Sequence, residues 1–343
     1  MLPTSIMTGA AALDDEPPAD AAGIQGRSPW QLAWGRLRAD RMAWFAGSLV
    51  LFVILLALSA PILSAVTGHS GTEPNVDYGT SDTGQPLPPG SVGTLLGTDS
   101  LGRDVLVRVA YGAQTSLLVG LLATAMAVVF GVVVGLVAGY AGGWVDALLA
   151  RAMDIVLSFP YVLFAVVLVS VFGPSLLILL FVIAFFSWAT IGRIVRGQTL
   201  SQREKEYVEA AHSIGAGPIR IMFIEILPNL IAPVIVLATL LIPAAIVFEA
   251  SLSFLGLGTQ PPVASWGNML SDAETTGFEA WWFYLFPGLA LLITTLGFNL
   301  LGDSIRDALD PRGDALLRGR VGKRRRKARA DSGAPEPATG APS

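Results

Sequence analysis

The chain has 343 residues, of which 53% are hydrophobic and only 14% charged, and its mean hydropathy is +0.62. This composition excludes an ordinary soluble globular domain and indicates a membrane protein. The sequence contains no cysteine, which excludes disulfides, thiolate metal sites and thiol redox chemistry. The net charge of −4 says little alone, because the basic residues are concentrated in particular segments.

Long apolar stretches predict an all-α membrane protein with six transmembrane helices. A crossing helix needs about 20 mainly apolar residues, and the sequence FGP at 172–174 supplies a turn between the third and fourth spans. The predicted spans are residues 42–65, 116–138, 149–171, 175–193, 226–248 and 280–302. Residues 1–27 have no basic start and no continuous apolar run, so we expect a disordered tail rather than a signal peptide.

The distribution of Lys and Arg gives these spans a direction. The long loops at 66–115 and 249–279 contain only Arg103 and Arg108 of the 22 basic residues. Short loops enriched in basic residues stay in the cytoplasm, so both termini are expected there. Residues 313–343 form a basic and then low-complexity tail, which we interpret as charge beside an anionic leaflet rather than as a nucleic-acid site.

The segment between the fourth and fifth spans, REKEYVEAAHSIGAGPIRIMFIEILPN at 203–229, is charged and interrupted by glycine. Ser201 followed by Glu204 predicts a capping box at the start of a helix. Gly215 is expected to end that helix, and a second helix is expected to run as far as Pro228. Such a pair could insert into a cleft on a partner protein, or lie on the lipid surface.

Residue identities in this segment resemble the cytoplasmic EAA signature of ABC importer permease subunits. The matching positions are Glu209, Ala210, Ala211, Gly215, Leu227 and Pro228. One position departs from the signature, since Glu225 stands where an aliphatic residue is usual. Stretches 95–120 and 249–270 are similar to the dipeptide, oligopeptide and nickel permease family, and stretch 28–47 is similar to its C-type subunit in particular. The resemblance covers about residues 28–312.

The resemblance implies a type I importer permease domain at 28–312 in a bacterial cytoplasmic membrane. It implies that the segment carrying the six signature residues contains the coupling helix, which docks in a groove of an ATPase subunit. It also implies a second homologous permease as heterodimer partner, two ATP-binding subunits, and an extracytoplasmic solute-binding protein. That protein would meet an outer cap that carries Pro261, Pro262, Trp266 and Asn268. Peptides are the implied cargo, with nickel or another small solute as the alternative.

We expect no catalytic residue and no cofactor on this chain. GTDSLGR at 97–103 has the glycine spacing of a phosphate-binding loop, but Arg103 and Asp104 replace its lysine and hydroxyl residue. The loop is also expected on the side away from cytoplasmic nucleotide. ATP and Mg²⁺ would therefore be bound by partner ATPase subunits.

Few other polar residues are candidates for a site. Arg151 and Asp154 are three apart and predict an interfacial pair. Glu249 ends the fifth span on the outer side, where it faces either the translocation path or solvent, and we expect solvent. His69 and His212 lack neighbouring ligands, so no metal site is expected. A secondary transporter or channel would need several acids or histidines within the spans, and a membrane enzyme would need a converging nucleophile or acid–base pair. The spans supply neither pattern.

Overall fold

A computed structural model describes residues 29–310, so the tails expected at 1–27 and 313–343 lie outside the described residues. The larger helices are α1 (Pro29–Ala39), α2 (Arg41–Thr67), α4 (Val105–Ala141), α5 (Gly143–Ser158), α6 (Tyr161–Phe172), α7 (Leu176–Arg203), α8 (Glu206–Ser213), α10 (Leu227–Phe254), α11 (Trp266–Glu274) and α12 (Trp281–Leu309). The shorter ones are α3 (Val76–Gly79), α9 (Pro218–Arg220), a π-helix (Ile221–Ile226) and a 3₁₀-helix (Phe278–Ala280).

Among residues 29–310, five helical segments are long and apolar enough to cross a membrane: α2, α4, α7, α12 and the continuous segment Pro218–Phe254. Helices α5 and α6 together make a sixth if the pair, bent by 81°, counts as one span. Within residues 29–310 the only β-structure is two isolated bridges. The predicted all-α membrane protein with six spans is therefore confirmed.

The third span differs from its prediction as one helix over 149–171. Helix α5 ends at Ser158, Phe159 is extended with φ −80° and ψ 135°, and α6 begins at Tyr161. Pro160 has no backbone N–H, and its ring excludes helical geometry from the residue before it. The span is consequently a bent pair of helices.

Several helices are longer than predicted from charge-free stretches. Helix α4 begins at Val105 instead of 116, after Asp104, whose side chain accepts hydrogen bonds from the N–H groups of Leu106 and Val107. Helix α7 continues past 193 to Arg203, and there Arg196 forms a bidentate ion pair with Asp146 of α5. The helices include these charged residues because Asp104 caps α4 and Arg196 is paired with Asp146. A hydropathy profile does not contain either interaction.

Buried apolar side chains join the helices at both ends of α4. At one end they connect α4, α5, α7, α8 and α10 in a cluster that includes Leu136, Val195 and Val208. At the other end they connect α2, α4, α10, α11 and α12 around Trp266 and Phe283. We call these the α8 end and the cap end, the cap being residues 255–280.

Helix α4 packs along α7 through three glycines, Gly131, Gly135 and Gly139, spaced one turn apart on one face. A Cβ at Gly135 would lie 2.6 Å from the carbonyl oxygen of Gly192. Small residues let two helix backbones approach closely, which favours dispersion contacts between membrane helices. This face leaves no room for a side chain.

Replacing Gly135 with valine should therefore destabilise the chain by about 1–3 kcal/mol, since the added carbons must push α7 away. Gly197 lies in α7 and is exposed, and a Cβ added there would meet no atom within 4 Å, so Gly197→Val is the matched control. Thermal unfolding of the detergent-solubilised protein would measure the difference. Equal midpoints for both variants would contradict the close packing.

Candidate functional site

The α8 segment is a short helix closed by a glycine turn. Glu206 and Glu209 lie in its first turn, where negative charge is favourable. At the end, Gly215 has φ +82° and donates its N–H to the carbonyl of His212. Ala216 donates to the carbonyl of Ala211, which completes a Schellman motif. The predicted stop at Gly215 is therefore present.

The expected start at Ser201 is wrong. Ser201 lies inside α7, which continues to Arg203, and α8 begins after Lys205 without a side-chain cap. Ser201 does not start a new helix because packing against α4 extends α7 past it. In this contact Thr199 is buried against Gly139. The expected break at Pro228 is also absent. The π-helix leads directly into α10, with the N–H of Leu227 bonded to the carbonyl of Met222.

Helix α8 has one buried and one exposed face. Val208 and Ala211 are 1% and 6% exposed and belong to the apolar cluster at this end. Glu209 and Ala210 point outward. Ile214, next to the turn, is 81% exposed. One face of α8 is thus packed against the protein, and the other face is exposed and partly apolar. A helix with these two faces is suited to docking on a partner protein.

Polar and aromatic contacts also connect α8 to its neighbours. Tyr207 donates its hydroxyl to Gln202 Oε1 of α7 at 3.0 Å, and Asn229 Nδ2 of α10 donates to the Tyr207 oxygen at 3.3 Å. Burial raises the pKa of Tyr207. The ring of His212 stacks on Tyr140, the penultimate residue of α4, with ring centroids 6.2 Å apart. Helix α8 is thus connected to α4, α7 and α10.

The six signature residues separate into two groups. Glu209, Ala210, Gly215 and Pro228 are exposed, whereas Ala211 is buried and Leu227 is half-buried against the same cluster. The first group is available to another protein, and the second holds α8 on the bundle. Their coupling role stays a prediction.

The two alanines should respond differently to enlargement. We expect Ala211→Leu to destabilise the solubilised chain by about 1–3 kcal/mol, because the buried site has no room for three more carbons. Ala210→Leu, one residue away and exposed, should change stability by less than about 0.5 kcal/mol. Thermal unfolding of the two variants would check this, and equal losses would mean that α8 is not anchored as described.

At the cap end, α11 begins with a capping box. Ser265 accepts the N–H of Asn268, and the Asn268 side chain accepts the N–H of Ser265. Trp266 is fully buried and donates its indole N–H to the carbonyl of Val109 in α4 at 3.1 Å. The predicted contact of Trp266 and Asn268 with a partner does not agree with the structure, because neither side chain is accessible. Pro261 and Pro262 are exposed, and their predicted contact stays a prediction.

The stretch with phosphate-loop spacing forms part of a buried charge network. Asp99 Oδ2 lies 2.7 Å from Arg103 Nε and 3.1 Å from Arg108 Nε. Both arginines also lie within 4 Å of Asp272 in α11. Burial raises the pKa of Asp272, and the two guanidinium groups oppose that shift. Two acids and two arginines balance one another, so the network joins the loop before α4 to the cap.

Three other sequence candidates can now be located. Glu249 is completely buried, so its expected exposure to solvent is wrong. Arg151 lies 3.9 Å from Asp154, as predicted, but Asp154 also pairs with Arg193 of α7. Within the described part of the chain, no group of three His, Cys, Asp or Glu residues could hold a metal ion.

A cavity of about 280 Å³ lies beside the bend between α5 and α6. The side chains that line it come from both sides of the bend, from α7 and from α10, and include Phe159, Tyr161, Phe186, Ser187, Thr190 and Phe248. The rings of Tyr161 and Phe248 meet edge to face, 4.7 Å apart. Sequence reasoning missed this cavity. The available signal was Pro160 within an apolar run.

Two family models match most of the described chain. Residues 131–314 match the family of binding-protein-dependent transport system inner membrane components, and residues 28–89 match the N-terminal TM domain of oligopeptide transport permease C.

Curated relatives match along most of their length. The chain is 47% identical over 290 residues to the oligopeptide transport system permease protein OppC of Salmonella typhimurium, which covers 84% of this chain and 93% of the relative. It is 41% identical to the dipeptide permease protein DppC of Alkalihalophilus pseudofirmus, covering 83% and 90%. It is 42% identical to the glutathione permease protein GsiD of Salmonella paratyphi A, covering 84% and 92%.

Among solved structures, a chain of the inward-facing methionine ABC transporter MetNI is similar with a TM-score of 0.50. The match covers 59% of this chain and 96% of the other at 17% identity. At that identity the likeness concerns the fold, which is that of a type I ABC importer permease.

Proposed function

The chain belongs to the family of binding-protein-dependent transport system inner membrane components, and we propose that it is one of two permease subunits in an ATP-driven peptide importer. The observation that carries the proposal is the match along 93% of a relative named as an oligopeptide permease. Other relatives are named for dipeptide and glutathione transport, which supports peptides as the cargo class.

The proposed assembly contains a second homologous permease, two ATP-binding subunits and an extracytoplasmic solute-binding protein. ATP and Mg²⁺ would reside on the ATP-binding subunits, and this chain would bind no cofactor and no nucleic acid. We place it in the bacterial cytoplasmic membrane with both termini and α8 in the cytoplasm. In support, Arg193, Arg196 and Arg203 lie toward the α8 end, whereas the cap end of the described chain has only the buried Arg103 and Arg108.

Helix α8 is the proposed coupling helix. Its exposed residues Glu209, Ala210 and Gly215 would face a groove on the ATP-binding subunit. Because Val208 and Ala211 pack in one cluster with Leu136 of α4 and Val195 of α7, a displacement of α8 would move these helices as a body. Leu227 and Pro228 would transmit the same displacement to α10. At the opposite end, Pro261 and Pro262 are the proposed contacts for the binding protein.

The turn at Gly215 supplies one test. A residue with a Cβ pays about 1–2 kcal/mol to adopt the left-handed conformation at φ +82°, although no neighbouring atom lies within 4 Å of a Cβ placed there. We expect Gly215→Val to remain in the membrane and to lose peptide uptake, because the turn that presents α8 is displaced. Gly217→Val is the control, since Gly217 is also exposed and uncrowded but has φ −72°. Equal uptake by both variants would contradict the coupling role of the turn.

The assembly itself is tested by purification through an affinity tag, with mass spectrometry of the co-purifying proteins. We expect a second permease and two ATP-binding subunits with the wild-type chain, and loss of the ATP-binding subunits with Glu209→Lys. Glu274→Lys makes the same charge change on an exposed residue of the cap end and should retain them. A chain that purifies alone and drives uptake from a proton gradient would instead be a secondary transporter.

Cargo is tested by measuring ATP-dependent uptake of labelled di- and oligopeptides against labelled nickel in the same vesicles. Peptide uptake above the nickel rate is the expected result. Uptake of nickel alone would leave the permease role intact and replace the assigned cargo.

A further inference from the structure

Glu249 places a carboxylate where α4 and α10 meet near the cap. The residue is completely buried within α10. Its Oε2 accepts a hydrogen bond from the Ser116 hydroxyl of α4 at 2.9 Å, and its Oε1 accepts one from Ser253, a turn further along α10, at 2.7 Å. One side chain therefore bridges two membrane-spanning helices.

The same carboxylate is connected to the cap. The Ser253 oxygen accepts the N–H of Thr259 at 3.1 Å. The hydroxyl group of Thr259 is buried without a hydrogen-bond partner, and Ser265 is also buried. Ser265 is the residue that caps α11. Hydroxyl groups from α4 and α10 thus bind the Glu249 carboxylate, and the Ser253 hydroxyl also accepts a backbone N–H of the cap.

This junction is costly for a purely structural contact. Within residues 29–310, Glu249 forms no ion pair with a basic side chain, so its hydrogen bonds come from neutral groups. Burying a carboxylate costs free energy that such bonds offset only while all of them form. Apolar side chains could join the same helices without that cost. The hydrogen bonds of this junction form together in one arrangement of the helices and the cap. The junction therefore favours one position of the cap.

Helix α4 extends this junction to the other side of the protein. Its first turns contact the cap through Val109, which accepts the Trp266 indole N–H, and through Arg108 near Asp272. Its last turns contact α8 through Tyr140 and Leu136. With 37 residues it is roughly 55 Å long at 1.5 Å per residue. One continuous helix therefore connects the cap to α8.

We propose that Glu249 is a positioning residue that fixes the cap to α4 and α10, so that the cap, α4 and α8 move together. A binding protein seated on the cap then acts on the ATP-binding subunits through α4. This inference rests on the proposed importer function, and it adds the residue and the helix through which the two sides communicate.

The test uses the complete importer reconstituted in vesicles, with basal ATP hydrolysis, hydrolysis stimulated by the peptide-loaded binding protein, and uptake as readouts. Glu249→Met removes both acceptors at similar length, and Ser116→Ala removes one donor. Both should leave basal hydrolysis unchanged and lower stimulation and uptake about tenfold, the effect of losing buried hydrogen bonds. Glu249→Gln keeps one acceptor, so this variant should retain most of the stimulated hydrolysis and most of the uptake.

Thr124→Val is the matched control, because Thr124 lies two turns from Ser116 in α4 and its hydroxyl is buried without a partner. It should behave as wild type. Wild-type stimulation in Glu249→Met, or the same loss in Thr124→Val as in Ser116→Ala, would overturn the proposal.

A second measurement does not depend on transport. The chain has no cysteine, so Val263→Cys introduces a single spin-label site on the exposed part of the cap. The label should be more mobile in the Glu249→Met background than in wild type or in Glu249→Gln. Unchanged mobility would overturn the positioning role. A wild-type complex without ATP-dependent peptide uptake, together with this gain in mobility, would instead reject the importer function and leave the junction standing.

Discussion

The close contact between α4 and α7 determines where most other elements of this permease can lie. Three glycines of α4, one per turn, bring its backbone against that of α7, with Gly135 facing the carbonyl of Gly192. This contact leaves no free space between the two helices, because even a methyl group at Gly135 would overlap with α7. Helix α5 is then held on α7 by the pairing of Asp146 with Arg196, and α8 follows α7 after two residues. The α8 surface is consequently built on a rigid pair of helices.

Apolar packing joins both ends of α4 to their neighbours, and the cap end adds buried charges and hydroxyl groups. At the α8 end, apolar packing around Val208 dominates, with exposed polar contacts at the edge. At the cap end, buried Arg108 joins α4 to Asp272 of the cap, and the Ser116 hydroxyl joins α4 to Glu249 of α10. Buried polar contacts depend on the geometry of each donor and acceptor more strictly than apolar contacts do. This contrast suits a protein in which one end follows a partner and the other must keep a defined shape.

Local sequence patterns predicted the number of spans and the turn at Gly215, because hydropathy and glycine conformation act over a few residues. They failed where distant residues determine the outcome. Arg108, Arg196 and Glu249 shortened the predicted helices, since a charge counts against a span until its partner is known. Ser201 resembled a cap, but the packing of α7 on α4 extends that helix. The contact between Ser116 and Glu249 joins residues 133 apart, and Trp266 is buried by α4, so neither could be derived from spacing.

The bend at Phe159 and Pro160 has a consequence for solvent inside the membrane. Breaking a helix releases carbonyl groups in the last turn of α5 from their usual donors, and hydrocarbon cannot satisfy them. Broken helices persist at such depth only where the released groups meet protein or water. The adjoining cavity carries Ser187 and Thr190 among its aromatic walls. At this bend, protein polar groups or water must therefore satisfy the released carbonyl groups, and the adjoining cavity has room for both.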